Sequence, residues 1–324
     1  NLFVDGISYS DYAELRGSLD TPLLNRAVQG QYPPGSTIKP LLGLGALAAG
    51  LVTPETTVKD PGWYRIPGDD RRYRDWTLRV RGGGHADLVD LRMAIAESCD
   101  TYYYDLAYRM GIDTMAEMLA PFGLGERTGI DTTGEQPGIL PSSEWKRRAL
   151  GEAWYPGETI SAGIGQGYML ATPLQLAQAT MVLANRGLSF VPSVVHHVDD
   201  LPVGGVARTP LPMTEEDWEA VVAGMVDVVH SPRGTAALIA RGMDYEMAGK
   251  TGTSQVIGIA QDAVYDEETV SERNRNHGLF IAFAPVDKPR IVVAVIAENG
   301  GGSSAASPVA RRVIDAWLAS AADV

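Results

Sequence analysis

The sequence predicts an α+β domain in which an antiparallel sheet is flanked by helices on both faces. Three observations predict it. Two apolar runs, 279–284 and 290–297, are joined by Pro285-Val286-Asp287-Lys288-Pro289, a hairpin signal. A third strand pattern stands just before them, at 246–257. Helical patterns precede and follow this cluster, as expected of strands that gather late and are covered by helices. No repeat, low-complexity tract or flexible linker divides the 324 residues, so residues 1–324 read as one domain.

The elements follow in chain order. A first helix is expected from Ser36 to about Ala49, ending at Gly50, with Pro40 in the first turn, where backbone donors lack an intrahelical partner. Its apolar stretch, 41–52, is far short of the ~20 residues of a membrane span and reads as a buried core helix. Residues 57–87, rich in Gly, Arg, Asp and aromatics without a clean period, read as an irregular excursion. Helices are expected at 88–97 and 101–110, broken by Ser98-Cys99-Asp100. Thr172 and Pro173 supply the cap and first residue of another helix, which Gly187 closes. Thr214 with Asp217 resembles a capping box ahead of 218–222. Ser307-Pro308 opens a final helix through Trp317.

The bulk composition narrows the function. It is 45% hydrophobic and 21% charged, ordinary for a globular protein. A net charge of −13 with no basic run argues against a nucleic-acid partner. The single cysteine, Cys99, excludes an internal disulfide. The chain opens at Asn1 without a signal-like segment and reads as an excised soluble fragment.

Two short motifs carry the chemistry. Ser36-Thr37-Ile38-Lys39 places a hydroxyl and an amine one helical turn apart, on one face. An uncharged lysine there can take the serine's proton, one of the few ways to activate an ordinary hydroxyl near neutral pH. Far downstream stands Lys250-Thr251-Gly252-Thr253, with Ser98-Cys99-Asp100 between the two. A Ser-x-x-Lys alone is commonly an N-cap serine beside a solvated lysine. The second and third elements, in this order, point instead to a serine acyltransferase.

Those three elements resemble the motif set of the penicillin-binding protein and serine β-lactamase superfamily. The likeness extends over nearly the whole chain. It includes Phe122-Gly123-Leu124-Gly125, Thr128-Gly129-Ile130-Asp131, Gly163-Ile164-Gly165-Gln166-Gly167, Thr172-Pro173-Leu174-Gln175, Arg233-Gly234-Thr235-Ala236 and Glu298-Asn299-Gly300-Gly301. The stretch 1–8 and Tyr73-Arg74-Asp75-Trp76 are similar to the penicillin-binding protein 2 subgroup, the class B D,D-transpeptidases of rod elongation. The resemblance implies the serine β-lactamase/transpeptidase fold and the catalytic domain of such an enzyme, without its membrane anchor and pedestal.

By resemblance, Ser36 is the nucleophile toward the penultimate D-Ala of a stem pentapeptide. Lys39 is its general base and Ser98 a proton relay. Lys250 holds the substrate's terminal carboxylate with help from the Thr251 and Thr253 hydroxyls. Gly252 lets the strand backbone approach the peptide. The backbone N–H groups of Ser36 and Thr253 form the oxyanion hole. Asp100 stands where the superfamily usually has Asn, although the subgroup also shows Asp. An ionised Asp favours a charged Lys39 and accepts without donating, so Asp100 is expected to orient Lys39 and Ser98 rather than contact substrate.

Cys99 admits two readings. Flanked by Ser98 and Asp100, its side chain faces away from theirs, and the residue alone reads as a buried, inert thiol. The resemblance implies instead a structural zinc held by Asp60, Asp75, His85 and Cys99, four ligands that leave no open position for catalysis. The stretch between Asp75 and His85 is longer than the subgroup's usual form. No cofactor for catalysis is implied.

Other features carry less. Ala248-Gly249-Lys250-Thr251 superficially resembles a phosphate loop, but the required first glycine is replaced by Asp244. No Gly-x-Ser-x-Gly elbow is present, against an α/β-hydrolase triad. His196, His197, His230 and His277 lack ligand spacing; Trp145, Trp154 and Tyr155 read as core or groove lining. The rival functions are a β-lactamase or D,D-carboxypeptidase of the same superfamily, and a β-lactam sensor or scaffold. The glutamate-held deacylating water of class A β-lactamases has no counterpart between the second and third motifs. The resemblance further implies β-lactam antibiotics as ligands, a SEDS-family glycosyltransferase and a rod-complex scaffold as partners. It implies an inner-membrane protein with its catalytic domain in the periplasm, the membrane being met only through the anchor.

Overall fold

A computed structural model describes residues 2–203, 205–258, 266 and 269–321; Asn1 of the N-terminal signature lies outside them. A three-stranded antiparallel sheet is built from Ala248–Ser254, His277–Ala284 and Ile291–Ala297, with His277–Ala284 in the centre. Lys250 lies opposite Ile281, and Phe280 opposite Val295. Every residue from Gly278 to Ala284 is buried. Successive side chains alternate between faces, so continuous burial means that both faces are covered.

The covering elements are the expected ones. Helices Pro173–Ala184 and Ser307–Ala321 pack on the central and third strands, and Glu215–His230 packs on the first. Their starts follow the side-chain capping read from sequence. Gln175 N donates to Thr172 Oγ1 while Thr172 N donates to Gln175 Oε1, at 3.1 and 2.9 Å. Asp217 N donates to Thr214 Oγ1. Here only half of the box forms, because the Asp217 carboxylate takes the Thr214 hydroxyl rather than its backbone N–H.

Several boundaries differ from the sequence-based expectation, the strand expected at 246–257 being trimmed to Ala248–Ser254. The Ser36 segment is not one helix: Gly35–Ile38 is a 3-10 turn and the α-helix is Lys39–Ala48. Pro40 explains the break, since its missing N–H is the one that would bond the Ser36 carbonyl in an α-helix. Lys39 N bonds that carbonyl instead. The helix expected at 88–97 shrinks to Leu91–Ala96, because Leu88–Val89 pairs with Val58–Lys59. The 57–87 excursion is likewise partly ordered: Trp63–Tyr64 pairs with Tyr73–Arg74, and Trp76–Arg81 is helical.

Helix Lys39–Ala48 is buried from Lys39 to Leu47 and runs through the main core. It contacts Leu91–Ala96, Asp100–Met110 and Glu215–His230. A second cluster of Ile66, Tyr73, Tyr104 and Ile160 fastens the excursion to the body. Among the described residues no helix is long and apolar enough to cross a membrane.

Candidate active site

The Ser36 turn is wedged between two backbones. Gly35 has φ +54°, a left-handed conformation that side chains rarely adopt, and its N–H donates to Gly165 O at 2.8 Å. A Cβ on Gly35 would lie 2.4 Å from Thr253 O, and one on Gly165 2.2 Å from Gly35 O. Gln166 Nε2 donates to Thr253 O at 2.7 Å, closing the same junction. The Gly165-Gln166 loop, the Ser36 turn and the Lys250–Thr253 strand are thus one unit. Ser36 itself is half-buried at its surface.

One residue past the turn, the Lys39 side chain is fully buried and its Nζ has three oxygen partners. It donates to Ser98 O at 2.9 Å, Ser98 Oγ at 3.3 Å and Asp100 Oδ1 at 2.6 Å. The Tyr103 ring lies 5.3 Å away. In this state lysine is engaged with the second motif rather than with Ser36. Ser98 sits at φ +58°, a strained value for a non-glycine residue costing about 1–3 kcal/mol. That conformation accompanies a carbonyl and a hydroxyl both directed at Lys39. Burial pushes the Asp100 carboxyl up, and Lys39 pulls it back.

Lys250 lies on the first strand, also fully buried. Its Nζ donates to Thr251 O at 3.0 Å and lies 3.5 Å from Thr251 Oγ1. Burial, reinforced by the charge of Lys39, pushes the Lys250 amine well below its ordinary range. The Thr251 hydroxyl shares a 2.6 Å hydrogen bond with Thr235 Oγ1. A Cβ on Gly252 would lie 2.8 Å from Thr37 Cγ2, so glycine lets the strand lie against the Ser36 turn.

Behind Ser98, four donors converge. Asp60, Asp75, His85 and Cys99 are all buried and present ligand atoms within 4.8 Å of one another. His85 Nε2 lies 3.2 Å from Asp75 Oδ1, and Cys99 Sγ 3.5 Å from Asp60 Oδ2. Zinc–ligand bonds of about 2.0–2.3 Å give tetrahedral edges of about 3.3–3.8 Å, close to both separations. Gly84 makes this closure feasible, since a Cβ there would lie 2.0 Å from Asp60 O. Without a cation the cluster brings two carboxylates beside a thiol, and burial with those two charges pushes Cys99 well up. The donor types fit zinc, and the four ligand atoms, within 4.8 Å of one another, are gathered somewhat more widely than a closed tetrahedral set. The longer stretch before His85 is taken up by helix Trp76–Arg81 and the Gly82-Gly83-Gly84 turn.

Several neighbours escaped the sequence reading. Glu97 is buried, 3.2 Å from His85 Nδ1, and paired with Arg233 Nε at 2.7 Å. Its place directly before Ser98 was the only available signal. Gln166, Thr235 and Arg233 sat in family-like signatures without assigned roles. Trp154, Tyr155 and Tyr168 surround the ammonium of Lys146, which pairs with Glu158 at 2.5 Å. They form a structural cage rather than groove lining alone. His230 and His277 each accept a backbone N–H, from Met247 and Asn299, consistent with packing roles.

Residues 5–315 match the penicillin binding protein transpeptidase domain. The peptidoglycan D,D-transpeptidase MrdA of Acinetobacter baumannii is 46% identical over 98% of this chain and 47% of its own length. The chain spans about half the length of the curated relatives it matches. The crystal structure of Pseudomonas aeruginosa PBP2 in complex with WCK 5153 is 45% identical, with a TM-score of 0.85 over 97% of this chain and 67% of that one. The Helicobacter pylori PBP2 complex with MreC is 30% identical, with a TM-score of 0.84 over 98% of this chain and 55% of that one.

Proposed function

The chain belongs to the penicillin-binding protein transpeptidase family, and from that premise we propose that residues 1–324 are the catalytic domain of a penicillin-binding protein 2-type peptidoglycan D,D-transpeptidase. It cross-links stem peptides during lateral wall elongation and rod-shape maintenance. The single observation that carries this reading is the buried Lys39–Ser98–Asp100 contact, one residue beyond a Ser36 turn seated against Thr253.

The chemistry follows from these groups. Lys39 must first lose its charge. The Asp100 carboxyl, 2.6 Å from Lys39 Nζ and pushed up by burial, is the neighbouring group within reach of that proton. Ser36 Oγ then attacks the carbonyl carbon of the penultimate D-Ala while its proton passes to the Lys39 amine. The developing oxyanion is held by the Ser36 and Thr253 N–H groups; such a donor contributes about 2.7–4 kcal/mol where one has been removed. The C–N bond breaks, the terminal D-Ala nitrogen takes up a proton through Lys39 and Ser98, and the serine ester remains. An acceptor amine from a neighbouring stem attacks that ester and loses a proton, and Ser36 Oγ regains one. Lys250, with the Thr251 and Thr253 hydroxyls, fixes the donor's terminal carboxylate. Gly252 keeps the strand close to the peptide backbone.

β-Lactams present the same carboxylate beside a reactive amide and acylate Ser36 with slow release. Asp60, Asp75, His85 and Cys99 would hold a structural zinc, which would cross-link the 57–87 segment to the second motif and take no part in acyl transfer. In the whole protein this domain faces the periplasm from an inner-membrane anchor. It works with a SEDS-family glycosyltransferase and a rod-complex scaffold, a reading supported by the MreC bound to the Helicobacter pylori relative. The test is a cross-linking assay in which the full-length protein and its glycosyltransferase act on lipid-linked precursor. Wild type yields peptide cross-links and Ser36→Ala yields none; equal cross-linking by both refutes the proposal.

A further inference from the structure

A continuous chain of contacts leads from the zinc-type cluster to the strand that would hold the substrate carboxylate. Its first link is Glu97, whose Oε2 lies 3.2 Å from His85 Nδ1. The other ring nitrogen of His85 faces Asp75 within the cluster. The second link is Arg233, whose guanidinium grips Glu97 with two prongs: Nε to Oε1 at 2.7 Å and Nη2 to Oε2 at 2.9 Å. Nη2 also donates to the His85 carbonyl at 2.8 Å, so one cation binds both the carboxylate and the imidazole residue's backbone. The third link is the turn that carries Arg233. Thr235 N donates to Ala96 O at 3.2 Å, docking this turn beside Glu97. Gly234 is pressed so closely onto the end of helix Glu215–His230 that a Cβ would lie 2.2 Å from Asp227 O. The last link is the 2.6 Å hydrogen bond between Thr235 Oγ1 and Thr251 Oγ1.

The physical content of this chain is geometric. A planar, bidentate Arg–carboxylate pair fixes orientation as well as distance. Glu97 is 3% exposed, so the pair is shielded from water on the carboxylate side. Arg233, its side chain about half exposed, ties the Glu97 carboxylate, which Arg81 Nη1 also reaches at 3.3 Å, to a turn that glycine packing leaves little room to relax. The turn's threonine sets which way the Thr251 hydroxyl points: one that donates to Thr235 cannot donate the same proton to a ligand, whereas one that accepts from Thr235 keeps its proton free. The carboxyl-bearing partner of a metal-site histidine commonly fixes the ring. Here the same carboxylate also reaches toward the substrate strand.

We propose that Glu97 is a positioning residue that, through Arg233 and Thr235, orients the Thr251 hydroxyl for the substrate carboxylate and couples that contact to metal retention at the Asp60–Asp75–His85–Cys99 cluster. This proposal rests on the transpeptidase reading of the site and adds a role for a residue outside the three motifs.

The test is a double-mutant cycle on the domain, read with benzylpenicillin. Stopped-flow acylation separates the encounter dissociation constant from the acylation rate, and loss of fold alone would lower the active fraction without changing either. Glu97→Gln and Thr235→Val are each expected to raise the encounter constant about tenfold. The double variant should be scarcely worse than either, a coupling well beyond the roughly twofold scatter of independent sites. The acylation rate should change less than about threefold. Zinc titration of Glu97→Gln should show affinity reduced about 10- to 100-fold, whereas Thr235→Val leaves zinc binding as in wild type. If Glu97→Gln does not fold, the Arg233→Lys and Thr235→Val pair is read in the same way. Additive losses overturn the relay, and unchanged zinc affinity in Glu97→Gln overturns its link to the cluster. A wild-type domain that benzylpenicillin never acylates overturns the transpeptidase reading itself, and the relay falls with it.

Discussion

At the scale of single residues, the side chains with the most exacting chemistry were the most legible. A serine, two lysines and a threonine with fixed spacing advertise acyl transfer because few other side chains can do it. Glu97 and Arg233 were not legible, since an ion pair between distant segments leaves no local period. Two residue-level predictions follow from the electrostatics. Burial and the charge of Lys39 hold Lys250 well below its ordinary range. A carboxylate ligand favours the charged form of that amine. Affinity is therefore greatest below the free-enzyme pKa of Lys250 and falls as pH rises through it. The encounter constant of benzylpenicillin measured across about pH 6 to 9 should weaken toward the alkaline end; a flat profile contradicts this. The second concerns Glu298. Burial pushes its carboxyl up, but Tyr32 at 2.6 Å and Arg26 at 2.8 Å bring it below the usual range. A depressed carboxyl stabilises the fold above its unfolded pKa, and that contribution disappears as pH falls through the folded value. Glu298→Gln should cost about 1 kcal/mol at neutral pH, a modest figure because the pair is partly solvated. Denaturant titration should show the difference closing below about pH 4.

Secondary-structure elements were legible where a local signal sets their ends, and not where a distant partner does. Thr172 and Thr214 announced their helices because an N-cap is a nearest-neighbour device. The helix expected at 88–97 lost its first turn to Leu88–Val89, whose partner strand is Val58–Lys59, with Val58 31 residues before its register partner Val89. Ser36 was expected inside an α-helix, yet Pro40 confines it to a 3-10 turn. That turn is the most sensitive element of the site. Gly35→Ala places a methyl 2.4 Å from Thr253 O at a left-handed φ. Displacing a nucleophile by about 1 Å costs about 100-fold, so acylation should fall by at least that order. Circular dichroism should show the fold retained, with the melting temperature lowered by several degrees by the strain at that φ. Acylation within threefold of wild type would show that the Gly35–Thr253 contact positions nothing.

For the whole molecule, the sheet with helices on both faces and the hairpin of its last two strands followed from clustered apolar runs; the order of the three strands came from the structure. The path of residues 57–101 did not, because short paired strands and a buried polar cluster have no hydrophobic period. Metal linkage gives this region a measurable signature. The purified domain should carry about one zinc per chain. A strong chelator should lower the melting temperature by several degrees, as expected when a ligand bound only to the folded state is withdrawn. Cys99→Ser should lose most of the metal. A metal-free domain whose melting point ignores the chelator would leave Cys99 as a packed thiol. Beneath all of these lies the proposed acyl transfer to Ser36. The most direct measurement is peptide-mapped mass spectrometry of the folded domain after exposure to benzylpenicillin. The account predicts one penicilloyl group, on Ser36, in wild type, and its absence in Ser36→Ala and Lys39→Ala. An unmodified Ser36 in folded wild-type protein, or an adduct formed equally well without Lys39, contradicts it.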